Sequence, residues 1–171
     1  MGSTSAETTC GQLHRVFVYG SLLAEEVLKV LLDRVPASSS STLAGFHRFS
    51  ITGRVYPAII PVIGKNVSGK VLFDITDTEL GILDKFEDFE YERMSVAVTL
   101  AGNLELIVFS YVWRNREDPC LYGDWGYEEW RENHMAGFLK MSSVFKKELT
   151  LSSTRVSIYE SFYQENIGVD N

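Results

Sequence analysis

Two hydrophobic periods alternate along this chain in an order that few folds accommodate. Residues 16–19 (VFVY) form a continuous apolar run of the kind that buried strands carry, whereas Leu23, Val27, Val30, Leu31 and Val35 recur at helical spacing over 22–35. β-like runs follow at 43–51 (LAGFHRFSI), 55–63 (VYPAIIPVI) and 69–75 (GKVLFDI), parted by turn signals at Thr52-Gly53 and Gly64-Lys65-Asn66. Ala37 to Thr42 reads as a polar, Ser-rich break, and Pro57 and Pro61 assign the second run to an edge or to irregular backbone. Thr76-Asp77-Thr78-Glu79 matches a capping box and opens a helix with Leu80, Leu83 and Phe86 on one face. A hairpin around Ala101-Gly102-Asn103 joins 94–100 to 104–113. An amphipathic helix is predicted over 127–149, with Trp130, His134, Phe138, Met141, Phe145 and Leu149 along one stripe. Strands in hairpin-like succession with separate helices predict an α+β fold: a small mixed or barrel-like β-sheet with packed helices.

The chain has 171 residues, 45% of them hydrophobic and 12% aromatic, which is enough for one domain with a substantial core. That domain is expected over 15–150, between a flexible N-terminus at 1–14 and a C-terminal extension at 151–171 that is helical or partly disordered. A net charge of −7 without a basic stripe argues against nucleic acid or an anionic membrane as partner. No apolar run reaches the length of a membrane span, and residues 1–13 lack the basic and apolar regions of a signal peptide, so cytoplasmic residence is the expectation. Cys10 and Cys120 are too few for a disulfide framework or a cysteine-rich metal site. Small-molecule chemistry is the class that remains.

Two places could carry such chemistry. The first is the strand-to-helix joint at Gly20-Ser21, where glycine lets a ligand approach the backbone and serine is a favoured N-cap. It is either a tight turn between core elements or a site where amides and a helix dipole meet a carboxylate or an oxyanion. The second is the acidic segment 84–93, in which Asp84, Glu87, Asp88, Glu90 and Glu92 are interleaved with Phe86, Phe89 and Tyr91. Glu87 follows Leu83 and Phe86 around the helix end and can sit at the rim of the apolar face. There, desolvation and like-charged neighbours would raise its pKa toward neutrality and fit it for general base and then general acid work. The competing reading is a solvated helix terminus with Arg93 pairing a carboxylate. No Gly-x-Ser-x-Gly elbow, Rossmann fingerprint or P-loop is present, and His14, His47 and His134 show neither triad nor metal-ligand spacing.

The motifs V-Y-G-S-L at 18–22, Y-P-A at 56–58 and L-D-x-F-E-x-x-x-Y-x-R at 83–93 together resemble the γ-glutamylcyclotransferase superfamily. The run DPCLYGDWGYEEWRENHM (118–135) is similar to its plant avirulence-induced branch, and the resemblance covers most of 15–145. It implies that the loop of Tyr19, Gly20, Ser21 and Leu22, continuing through Leu23 and Ala24, binds a γ-glutamyl moiety, with Glu87 as the acid/base. It also implies a small-molecule γ-glutamyl substrate and no cofactor or metal; a monomer is the expectation. The reaction would be intramolecular aminolysis, releasing 5-oxoproline from a γ-glutamyl amine or γ-glutamyl amino acid. The alternative is a non-catalytic ligand-binding or stress/defence-response interaction module on the same fold. One departure stands out: Asp88 occupies a position where the family usually has glycine.

Overall fold

The computed structural model describes residues 11–149. Residues 1–10 of the expected N-terminal segment and the whole expected C-terminal extension, 151–171, lie outside the described residues. In chain order the elements are β1 (His14–Val18), α1 (Glu25–Leu32), β2 (Ser38–Ile51), β3 (Ala58–Ile75), α2 (Asp77–Glu87), β4 (Tyr91–Leu100), β5 (Glu105–Trp113), β6 (Leu121–Tyr122), α3 (Tyr127–Asn133) and α4 (Met135–Leu149). Strands pair in the order β3-β1-β5-β4-β2, and β2 pairs back onto β3, closing a five-stranded mixed barrel with the four helices packed outside it. The expected α+β, barrel-like fold is therefore present. β1 runs parallel to β5 and antiparallel to β3, while short β6 extends the far end of β2.

The period of two along β1 separates two cores. Phe17 and Tyr19 point into the barrel with Leu43, Ile59, Val71, Val98 and Val112. Val16 and Val18 point outward, where Leu31, Leu83, Phe86, Trp130 and Phe145 seal the helices against the wall. Each such fully buried large side chain contributes roughly 1.5–3 kcal/mol. The capping box forms as its sequence predicts: the Glu79 amide donates to the Thr76 hydroxyl at 3.1 Å and the Thr76 amide to the Glu79 carboxylate at 3.0 Å. No helix among the described residues is long and apolar enough to cross a membrane.

Several local expectations give way to tertiary pairing. The Ser-rich stretch is no break: Ser38 to Thr42 pairs with Ser68 to Leu72 of β3, and Ser41 and Thr42 also pair with β4, so neighbours on both sides impose the extended form. The turn expected at Gly64-Lys65-Asn66 is an excursion within β3 that leaves Ile63 fully exposed. Pro61 pairs only toward β2, in the part of β3 that β1 does not reach, which is where a residue without an N–H is tolerated. The helix expected over 22–35 is α1 alone, ending at Asp33 in the left-handed region, and the one expected over 127–149 breaks at His134 into α3 and α4. Trp130, Phe138 and Phe145 nevertheless remain one buried stripe.

Candidate active site

β1 ends at Val18, and Ser21–Leu23 form a single 3-10 turn before α1 starts. The first bond of that turn runs from the Leu23 amide to the Gly20 carbonyl at 2.9 Å, which leaves the amides of Ser21 and Leu22 ahead of the ladder. The N-cap of α1 is Ala24, and no side chain caps either the turn or the helix, so the Ser21 hydroxyl lacks the capping role its position suggested. Gly20 has φ −128°, and its requirement is one of space. Pro57 stacks on it so closely that a Cβ would lie 2.7 Å from the proline Cγ. Pro57 is itself anchored by its carbonyl, which accepts the Tyr91 hydroxyl at 2.7 Å.

Glu87 is the last residue of α2. Phe86 beside it is buried edge-on against Phe138 and Phe145 of α4, at ring distances of 5.8 and 5.2 Å, and this fixes the helix end against the barrel mouth. The helix stops because Asp88 turns to φ 61°, ψ −160°, a region that a side chain disfavours and glycine accepts. That geometry gives a physical reason for glycine at this position. Asp88 tolerates it with its own carboxylate accepting the Phe89 amide at 2.9 Å.

The two places meet in one cleft. Tyr19, Gly20, Ser21, Leu22 and Glu87 line it, together with Tyr56, Pro57, Phe86, Tyr91, Tyr111 and Phe138. Leu23 and Ala24 stand outside the lining; both pack into the helix-side core. The cleft's free volume is about 30 Å³, room for little more than a water. Tyr19 reaches it from inside the barrel, where its hydroxyl donates to the Tyr111 carbonyl at 2.6 Å and takes a backbone hydrogen bond from Ile59. The Tyr111 hydroxyl donates to Asp84 at 2.7 Å, and Arg93 holds the other Asp84 oxygen at 2.6 Å. Burial pushes both tyrosine hydroxyls well above their ordinary pKa. For Tyr19 the charge of Glu87 adds to this, and for Tyr111 the Asp84 hydrogen bond and the Asp84 and Glu87 charges do so. Both phenols therefore stay protonated and neutral around the Glu87 carboxylate.

The rest of the acidic segment divides by partner. Asp84 serves Arg93 and Tyr111, while Glu90 accepts the Tyr56 hydroxyl at 3.0 Å and pairs with Arg54 at 2.9 Å. The pairing of Arg93 with a carboxylate thus occurs, but with Asp84 and beside Glu87. The walls contributed by Tyr56, Tyr91, Tyr111 and Phe138 come from four separate segments, and only Tyr56 and Tyr91 carried a motif signal.

The loop is braced from behind by Arg48, whose guanidinium donates to the Tyr19 carbonyl at 2.7 Å and to the Ser68 carbonyl at 3.0 Å and lies over the Trp125 ring at 5.6 Å. Burial lowers its pKa from the ordinary arginine value. Sequence reading gave no signal for Arg48, because its partners are backbone oxygens far away in the chain.

Comparisons with known proteins show the family of the chain and its fold. The family described as "Gamma-glutamyl cyclotransferase, AIG2-like" matches residues 16–132, a span that includes the loop and Glu87. AIG2-like protein D of Arabidopsis thaliana is 55% identical over 146 residues, covering 84% of this chain and 96% of that protein. A solution structure of another Arabidopsis thaliana protein superposes with a TM-score of 0.63 at 42% identity, covering 84% of this chain and 95% of that one. A structure described as a gamma-glutamyl cyclotransferase shares the fold at a TM-score of 0.51 and 20% identity, over 61% of this chain and 68% of its own. The chain belongs to the AIG2-like gamma-glutamyl cyclotransferase family.

Proposed function

We propose that this protein is a γ-glutamylcyclotransferase that converts a small-molecule γ-glutamyl amine or γ-glutamyl amino acid into 5-oxoproline and the free amine. The observation that carries the reading is the meeting of Glu87 with the Tyr19–Leu22 loop in one cleft. The amides of Ser21 and Leu22 receive the substrate's carboxylate or steady the developing oxyanion, and glycine at position 20 keeps that backbone accessible. Glu87 takes a proton from the α-ammonium, and the freed amine attacks the γ-carbonyl carbon. The ring C–N bond forms, the amide C–N bond breaks, and Glu87 returns its proton to the departing nitrogen; the ring nitrogen, which the attack leaves with one proton too many, gives that proton up to the released amine, which departs as an ammonium. Nucleophile and electrophile belong to one molecule, so folding the substrate into the attacking geometry is the main task, an effect worth roughly 7–11 kcal/mol where orientation is good. At about 30 Å³ the cleft must widen to admit a glutamyl chain.

A second reading, a non-catalytic ligand-binding or stress/defence-response interaction module, draws on Asp88 and on that small volume. One experiment separates the two. 5-Oxoproline release is measured from a panel of γ-glutamyl amines and amino acids, with Glu87→Gln as the comparator. Turnover by the wild type that falls roughly 100-fold or more in the variant supports the enzyme. Release that is unchanged by the substitution removes Glu87 as the acid/base, and binding without release supports the module.

A further inference from the structure

Next to the cleft lies a second depression, between the segment that leads into β3 and the α3–α4 junction. It has a volume of about 270 Å³ and shares two walls with the cleft, Tyr56 and Phe138. Val55, Gly137 and Met141 add apolar surface, and Asn133 and His134 form its polar margin. Among the described residues that line it there is no Asp, Glu, Lys or Arg. Tyr56 and Phe138 wall both spaces, so in a cleft widened as the proposed reaction requires, a molecule whose reacting end sits beside Glu87 extends past these two side chains toward this depression. What it meets there is mostly hydrocarbon; the fixed charges nearest to it, Arg54 and Glu90, are paired with each other and hydrogen-bonded to the Tyr56 hydroxyl, and so are already engaged rather than offered to an ionised group.

We infer that this groove receives the leaving amine of the reaction proposed above and selects amines that carry an uncharged, apolar side chain. The inference rests on that proposed reaction for the identity of the occupant. In chemical terms, the departing nitrogen lies at the Tyr56–Phe138 boundary, its alkyl or aryl substituent lies against Val55, Gly137 and Met141, and a carboxylate on the carbon next to that nitrogen is disfavoured.

Three probes isolate these effects: γ-L-glutamyl-methylamide, γ-L-glutamyl-isoamylamide, and γ-L-glutamyl-leucine, which is the isoamylamide with an added carboxylate. The expected kcat/KM for the isoamylamide exceeds that for either of the others by about tenfold or more, since an apolar pocket discriminates by roughly 10–200-fold for a missing hydrocarbon group. Gly137→Leu supplies the structural control. Gly137 is exposed on α4, and a Cβ there meets nothing within 4 Å, so the new side chain occupies groove space on a helix that glycine otherwise weakens. In that variant the isoamylamide-to-methylamide ratio should fall toward one.

Equal kcat/KM for the isoamylamide and methylamide in the wild type, or a ratio that survives Gly137→Leu, overturns the groove assignment and leaves the ring-closing reaction standing. Binding of the same probes to the wild type and to Gly137→Leu, followed by calorimetry, separates the converse case. A tenfold preference in Kd that Gly137→Leu abolishes, with no 5-oxoproline from any probe, removes the reaction and keeps the groove as the binding site for the apolar end.

Discussion

The ring of Pro57 stands where a side chain on Gly20 would have to go, with its Cγ and Cδ 2.7 and 2.8 Å from the position of a Cβ. Gly20→Ala must therefore displace a proline whose carbonyl is tied to Tyr91, and the expected cost is about 1–3 kcal/mol. Denaturant unfolding of the variant measures it. A midpoint equal to that of the wild type would show that Pro57 yields freely, and Gly20 would then matter only for ligand approach.

Asp88 offers a change of opposite sign. With φ at 61° and ψ at −160°, the residue after Glu87 adopts backbone that glycine reaches without penalty. Asp88→Gly should raise the Tm and stabilise the fold by about 1 kcal/mol, the relief of strain outweighing the larger entropy of an unfolded glycine. A lower Tm in the variant would mean that the bond from the Phe89 amide to the Asp88 carboxylate is worth more than the strain.

Tyr19 is both a cleft wall and a core residue. Tyr19→Phe keeps the ring in the barrel but removes the hydroxyl from between the Tyr111 carbonyl and the Ile59 amide. The buried polar groups left behind should cost about 1–3 kcal/mol, read as a shift in the urea midpoint at constant m-value. An unshifted midpoint contradicts this.

Acid sensitivity should trace to Glu79. Arg34 forks onto both of its oxygens at 2.7 Å and holds the carboxyl below its ordinary value of 4.5. Because the folded-state value is the lower one, the stabilisation is complete above the ordinary value and is lost as pH falls through the folded-state value. Glu79→Gln keeps an acceptor for the capping box but not the charge. The Tm difference between wild type and variant should be widest near neutral pH and should shrink below about pH 4. A difference that stays constant across that range would assign the effect to the cap alone.

What could be read from the sequence was local. The capping box at Thr76, the hairpin about Gly102 and the position of Glu87 at the end of an apolar face are each specified within a few residues, and each is where the pattern put it; the strand-Gly-Ser joint is also there, with a 3-10 turn between it and the helix. Features that depend on distant partners were illegible. Ser38 to Thr42 becomes strand only because β3 and β4 lie on either side, and barrel closure is a property of that pairing. Tyr111 and Phe138 join the cleft from segments whose own patterns say only that they are apolar. The stop at His134 has no glycine or proline to announce it. Asp88 was visible as a departure from a family pattern, whereas its reason, a positive φ, exists only in three dimensions.

β1 also governs when the cleft can exist. Its partners are β3, with Val16 beside Leu72, and β5, with Val16 beside Phe109. The strand that leads into the Gly20 loop is thus synthesised before both of its neighbours and is enclosed only when they follow, since both lie far downstream. A nascent chain halted before residue 105 already carries the loop and Glu87, yet it has no β5 to lay beside β1 and no Tyr111 to wall the cleft. The cleft is written early and assembled late, so a copy that stops short of β5 carries the loop without its walls.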